Sequence, residues 1–233
     1  MKSKMLLLFC LSVTFSAHAQ RTIAIEKKSG KKVVLSYSVL KGNTKVRHGT
    51  YHRYYTGHDL DGAAAGNNLA ETGNYENGKR VGRWMFYHPN DTLEQRFNYT
   101  SNTVEYNNPP KEFEFELLTE IKLGDTLQNP VLIGGTSSIR MLNHSFSYPA
   151  IIRGRKDLNS DFRRTILIYV DENGGLENVE VLVASEKKKI LYTYNKNSVR
   201  NNTDAVSFKP AKLNGKNVRS VIVYNYPDIV RVR

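Results

Sequence analysis

Arg163-Arg164-Thr165-Ile166-Leu167-Ile168-Tyr169-Val170, Asp171-Glu172-Asn173-Gly174-Gly175, then Asn178-Val179-Glu180-Val181-Leu182-Val183-Ala184: this stretch decides the fold. Side chains on an extended chain alternate between two faces, so Ile166, Ile168 and Val170 share one face and Val179, Val181 and Val183 share one face of the partner run. The acidic, glycine-bearing segment between them is turn chemistry. The whole reads as an antiparallel hairpin half-buried on helices. A third alternating run, Val218 to Tyr226, adds a strand with Val218, Ser220, Ile222 and Tyr224 on one face and Val221 and Val223 on the other.

Upstream, Pro130-Val131-Leu132-Ile133-Gly134-Gly135-Thr136 leads into a short helix, with Thr136 as its cap and Ile139 and Leu142 on the buried side. A Gly-Gly pair before a helix can cradle a phosphate. This one lacks the lysine and the three-glycine spacing that such loops carry, so it reads as structural. Asn107-Asn108-Pro109-Pro110 breaks ladder and helix alike and marks a boundary. Beyond it Lys111 to Leu118 alternates phenylalanine with glutamate, a strand with one wet face.

Five features in order, Pro130…Gly134-Gly135 with its helix, Tyr148-Pro149, Asp171-Glu172-Asn173-Gly174, Phe208-Lys209-Pro210-Ala211 and Asn214-Gly215-Lys216-Asn217-Val218, resemble the C-terminal domain of TonB-type proteins over about 100 residues. The resemblance implies an α+β domain in which a three-stranded antiparallel sheet packs on helices. It also implies a non-enzymatic role, in which the last strand offers its edge to an extended segment of an outer-membrane receptor or periplasmic protein, linked to TonB-dependent transport. The candidate contacts on that edge are Asn217, Val218, Ser220, Val221, Val223 and Tyr224. Cover by neighbouring strands, or a homodimer, is the competing use of such an edge. Two departures stand out. The interval Glu186 to Asp204 lacks the alanine pattern of the family's helix. The chain also has seven prolines, too few for the spanning arm of TonB itself.

Toward the N-terminus, Lys45 to Tyr55 aligns with Gly78 to Tyr87 at an offset of 33 residues, pairing Gly49 with Gly82, Tyr51 with Trp84 and Tyr54 with Tyr87. Asn77-Gly78 is a two-residue hairpin turn, and Ser29-Gly30 joins an earlier pair of short strands. The string Tyr75-Glu76-Asn77-Gly78-Lys79-Arg80-Val81-Gly82-Arg83-Trp84-Met85-Phe86-Tyr87 resembles the membrane occupation and recognition nexus repeat, whose copies form a ribbon of β-hairpins. The aromatics read as core. The resemblance implies an alternative function, docking on anionic lipid or glycan through Lys79, Arg80 and Arg83.

Residues 1–19 carry a basic start (Lys2, Lys4), an apolar run and Ala17-His18-Ala19, the pattern of a cleavable export signal. The domain plan is therefore 1–19 signal peptide, 20–107 β-rich repeats, 108–129 linker and strand, and 130–233 the TonB-like domain. Cys10 is the sole cysteine, so the exported chain has no disulfide and no thiolate, which suits a periplasm or cell envelope. The net charge of +12 favours anionic partners. Export and the absence of any nucleic-acid module argue against nucleic acid. His48 and His52, and the His58-Asp59-Leu60-Asp61 run, have too few ligands at the right spacing for a metal. No nucleophile–base set is present, and His144 is close only in sequence to Asp157 and Asp161. The expectation is a binding protein without catalytic residues, cofactor or metal.

Overall fold

The structure, a computed structural model, describes residues 21–56, 68–144, 163–185, 189–195 and 206–226. The first sheet is a seven-stranded antiparallel meander in sequence order: β1 (Thr22–Ser29), β2 (Lys32–Leu40), β3 (Asn43–Tyr54), β4 (Leu69–Glu76), β5 (Lys79–Tyr87), β6 (Leu93–Asn98) and β7 (Thr103–Asn107). Its turns follow from local chemistry. Asn77 (φ 48°) and Gly78 (φ 84°) both take the left-handed region that a two-residue turn needs, and Glu76 pairs with Lys79 across it.

The 33-residue repeat is a repeat of irregularity as much as of sequence. Between the pairs Tyr37–Tyr51 and Val39–Arg47, one residue of β2 faces three of β3, with Gly49 in the middle at φ 98°. Between Thr72–Met85 and Asn74–Val81, one residue of β4 faces three of β5, Gly82 to Trp84, with Gly82 opening the bulge at φ 60°. Each bulge sharpens the local twist and turns Tyr51 and Trp84 into one aromatic core with Tyr75, Phe86 and Phe97.

The second sheet has five strands in the order β13-β12-β11-β17-β8: β8 (Phe113–Leu117), β11 (Arg163–Val170), β12 (Leu176–Ala184), β13 (Lys189–Asn195) and β17 (Ser220–Asn225). The expected hairpin is there, with Ile166 opposite Val181 and Ile168 opposite Val179. Its turn is closed by Asp171, whose Oδ1 accepts from the amides of Asn173 (2.8 Å) and Gly175 (2.7 Å). Ile166, Ile168, Val170, Val179, Val181 and Val183 are all buried. At about 1.5–3 kcal/mol for each such side chain, this face dominates the stability of the sheet. Smaller ladders are β10 (Val131–Ile133) with β14 (Ser207–Lys209), and β9 (Leu127–Gln128) with β15 (Ala211–Leu213) and β16 (Lys216–Val218).

Two expectations are overturned. The fold is not α+β with a three-stranded sheet on helices: among the described residues it is nearly all β, in several antiparallel sheets, with one short helix, α1 (Gly135–His144). Part of the interval where the family resemblance implies a helix is instead β13, paired with β12 from Asn178–Asn195 to Ala184–Lys189. Ile190-Leu191-Tyr192-Thr193-Tyr194 is a β-branched and aromatic run without the alanines a helix favours, so the neighbouring ladder captures it. Nor is Val218 to Tyr226 a single strand. It breaks at Arg219, sending β16 to the small sheet and β17 to the large one.

The β10–α1 unit lies between the two large sheets. Leu132, Ile139 and Leu142 belong to the core over the five-stranded sheet, whereas Ile133 packs with Trp84 and Phe86 of the meander. The readings at 1–19, His58 to Asp61, Tyr148-Pro149, Asp157, Asp161 and the remainder of the Glu186 to Asp204 interval lie outside the described residues.

Candidate functional site

The candidate edge Asn217 to Tyr224 is distributed over two sheets. Asn217 and Val218 sit in β16, opposite Lys212 and Ala211. Ser220, Val221, Val223 and Tyr224 sit in β17, which is hydrogen-bonded on both sides. Val221 faces Tyr169 of β11 and Glu116 of β8, and Val223 faces Leu167 and Glu114. Both faces of the strand are buried as well, from Ser220 to Tyr224. Its backbone groups are therefore already used, and strand addition at β17 would first require β8 to leave.

The three basic candidates separate in the same way. Lys79 is exposed. Arg83 is exposed and forms an ion pair with Glu105, which also lies 3.4 Å from Arg96. Arg80 is enclosed, its side chain only 12% exposed, with Glu71 at 3.6 Å and its guanidinium 4.2 Å from the Trp84 ring centre. Burial opposes its charge, but Glu71, with Tyr99 and Tyr75, more than offsets this and raises its pKa above the usual guanidinium range. Arg80 is a core cation and cannot meet a lipid headgroup.

The arrangement around Arg80 is the repeat expressed in side chains. Arg47, at the position equivalent to Arg80, stacks on Tyr37, Tyr51 and Tyr75 and donates to the Tyr75 hydroxyl at 3.1 Å. Arg80 stacks on Trp84 and Tyr99 and donates to the Tyr99 hydroxyl at 2.9 Å. Beside Arg80 lies Glu71, wholly buried, which accepts from Arg53 Nε (3.2 Å) and the Tyr51 hydroxyl (3.3 Å). Burial and then the Glu71 charge raise the Tyr51 pKa. A fully enclosed carboxylate among arginines is a structural network, since no face of it is open to a substrate. Sequence reasoning placed Tyr51, Tyr75, Trp84 and Phe86 in the core, where they lie, but also Tyr54 and Tyr87, which are half-buried outside it, and it missed Glu71. The recurrence of Arg47 at Arg80 was the available signal for the cations, and nothing local distinguishes Glu71.

The Gly134-Gly135 pair resolves in the same spirit. Gly134 and Gly135 take φ 96° and 48°. The acceptor at the start of α1 is Glu94 from β6: its Oε1 accepts from the Thr136 amide at 2.9 Å, the role assigned from sequence to the Thr136 side chain. A Cβ on Gly135 would lie 2.1 Å from that oxygen. Gln95 Oε1 accepts from the Gly134 amide (2.7 Å) while its Nε2 donates to the Leu132 carbonyl (3.0 Å) and to Asn107 (2.8 Å). Glu94 and Gln95 thus occupy the site that a phosphate would need, and they bind the two sheets together. Burial pushes the Glu94 carboxyl up to about 7, against the Thr136 hydrogen bonds that favour its charged form; Glu112 adds a smaller push upward.

The histidines are apart in function. His52 Nδ1 pairs with the Thr72 hydroxyl at 2.9 Å, and His48 Nδ1 accepts from the Asn77 amide at 3.3 Å. Among the described residues no three His, Cys, Asp or Glu side chains converge as metal ligands.

What remains open, among the described residues, is sheet edges. The outer edge of β1 carries Glu26, Lys27 and Lys28 and a register shift at Lys27/Lys28. That of β7 is five residues long, with a register shift in its pairing to β6. That of β8 carries Glu114 and Glu116. β13 differs: its seven residues pair with β12 without a break, Lys189 is its sole charge, and Leu191 on its outer face is 53% exposed. Charges, bulges and shortness are how edges are protected, and β13 has none of the three beyond its first residue. The chain matches no family model, no curated protein and no solved structure.

Proposed function

We propose that this chain is a non-enzymatic cell-envelope binding protein that takes an extended segment of a protein partner onto the edge of β13 that no described strand occupies. The envelope assignment rests on the export-signal pattern of residues 1–19 and the cysteine-free remainder. Binding by strand addition is retained from the sequence reading, but the acceptor moves from β17, whose two edges are filled, to β13. One observation carries it: an unbulged, nearly uncharged seven-residue edge in a protein that protects its other large-sheet edges. Main-chain hydrogen bonds along the edge supply affinity. The exposed side chains of Lys189, Leu191 and Thr193 choose among partners.

The test is site-specific photo-cross-linking in intact cells. A photoreactive residue replacing Leu191 is expected to yield discrete adducts with an envelope protein, identified by mass spectrometry, whereas the same residue replacing Lys79 yields none of them. Identical adducts from both positions, or none from Leu191, would remove the proposal. A proline at Thr193 is expected to abolish the adduct while the purified protein keeps its far-ultraviolet circular dichroism.

A further inference from the structure

Leu118-Thr119-Glu120-Ile121-Lys122-Leu123-Gly124-Asp125-Thr126-Leu127 connects β8 to β9. Four of the seven large apolar side chains exposed among the described residues lie in it: Leu118, Ile121, Leu123 and Leu127. Single exposed leucines need no explanation, but a run of four in ten residues does. Leu123 is fully exposed.

This exposure belongs to a built turn. The Asp125 amide donates to the Lys122 carbonyl at 3.1 Å, and the Lys122 amide donates back to Asp125 Oδ2 at 2.7 Å. Gly124, at φ 96°, supplies the left-handed step that reverses the chain directly after Leu123. The turn is then braced from outside. The Asn214 amide donates to the Thr126 carbonyl (2.8 Å), the Thr126 amide to Asn214 Oδ1 (2.9 Å), and Asn214 Nδ2 to Asp125 Oδ1 (2.7 Å). The ordering cost of presenting Leu123 is therefore met by the fold before anything binds.

Two lysines border the apolar side chains. Leu127, Leu213 and Lys216 are cross-strand neighbours and share one face of the small sheet, and Lys122 flanks Leu123 in the turn. Asp125, held ionised by the Asn214 side chain and the Lys122 amide, and the exposed Glu120 balance these two lysines, so the attraction to an anionic surface comes from the net charge of the chain. A second copy of the chain is a poor occupant, because each exported copy carries about +10 (+12 less Lys2 and Lys4). An exposed apolar turn bordered by lysines, on a strongly basic chain, matches an anionic lipid surface, where apolar side chains sink below the headgroups and cations lie among anionic ones.

We infer that residues 118–127 form a preformed docking prong that seats Ile121 and Leu123 in an anionic lipid surface, with Lys122 and Lys216 at the headgroups. This surface is separate from β13 and from the repeat cations, so it stands or falls independently of strand addition.

Co-sedimentation of the full chain with phosphatidylethanolamine–phosphatidylglycerol vesicles tests it. The native protein is expected to bind, weakly or not at all to phosphatidylcholine vesicles, and L123S with I121S to lose at least about tenfold in partitioning, because each removes an apolar side chain that insertion buries. L123W is expected to be quenched by bromolipids. Both substitutions are at exposed positions, and an unchanged thermal melt confirms the fold. Three outcomes overturn the inference: no binding by the native chain, equal binding by the double variant, or a concentration-dependent dimer that L123S dissociates, which assigns the prong to a second copy. A protein recovered by cross-linking from Leu123 in vesicle-free conditions would assign it to a protein pocket and overturn it equally. Substitution of Leu191 leaves vesicle binding unchanged.

Discussion

Gly73 lies under the indole of Trp84, and a Cβ placed there would be 2.3 Å from two ring atoms. The ring is held on its other sides by Tyr51, Tyr75 and Tyr99 at centroid distances of 5.2–5.7 Å, so it cannot retreat. G73A is accordingly expected to destabilise the protein by about 2 kcal/mol or more, read from urea denaturation with the sole tryptophan as reporter. Glu94 makes a different prediction. Its folded value of about 7 lies above the ordinary 4.5, so the folded state holds this proton more tightly than the unfolded one. The contribution is fully present below about pH 4.5 and is lost as the pH rises through about 7, a change on the order of 3 kcal/mol. E94Q keeps an oxygen for the Thr136 amide and has no proton to lose. Its stability is expected to stay level across that window while the native protein weakens. Parallel pH profiles for the two would refute the burial argument. Neither residue was legible beforehand: Gly73 reads as a strand glycine and Glu94 as a surface carboxylate until the partner packed on each is known.

At the scale of elements, the difference between β17 and β13 is one of neighbours. β17 has β11 on one side and β8 on the other, whereas β13, among the described residues, has β12 alone. Native-state hydrogen exchange should show this directly. The amides of Val221, Ile222 and Val223 are expected to exchange near the global unfolding limit, and those of Leu191 to Thr193 facing outward to exchange much faster. Equal protection in the two strands would mean that the β13 edge is covered and would count against its role as an acceptor. The alternating run at β17 was readable in the sequence as a strand. Its place in the middle of a sheet was not, because β8 comes from more than 100 residues upstream and its Phe-Glu alternation names no partner. The reverse holds for β13, where the local β-propensity of Ile190 to Tyr194 was a better guide than the family resemblance.

Across the whole molecule, β10 and α1 unite the two sheets, with Ile133 in one core, Leu132, Ile139 and Leu142 in the other, and Glu94 and Gln95 tying the turn between them. Unfolding followed by Trp84 fluorescence and by far-ultraviolet circular dichroism is therefore expected to coincide, and to separate into two steps in an E94A/Q95A variant. Separate transitions in the native chain would show that the sheets are energetically independent. What the sequence determined by itself was everything that depends on neighbours in the chain: the alternating strands, the Asn77-Gly78 and Asp171 to Gly175 turns, the 33-residue repeat and the apolar identity of its aromatics. Those features are written in local φ preferences and in the two-residue period of a strand, so a short window contains them. Only the tertiary structure decided which edges are filled, which arginine is buried and which carboxylate caps the helix. Each of those is set by a pairing between residues far apart in the chain, whose energy appears only when both partners are in place.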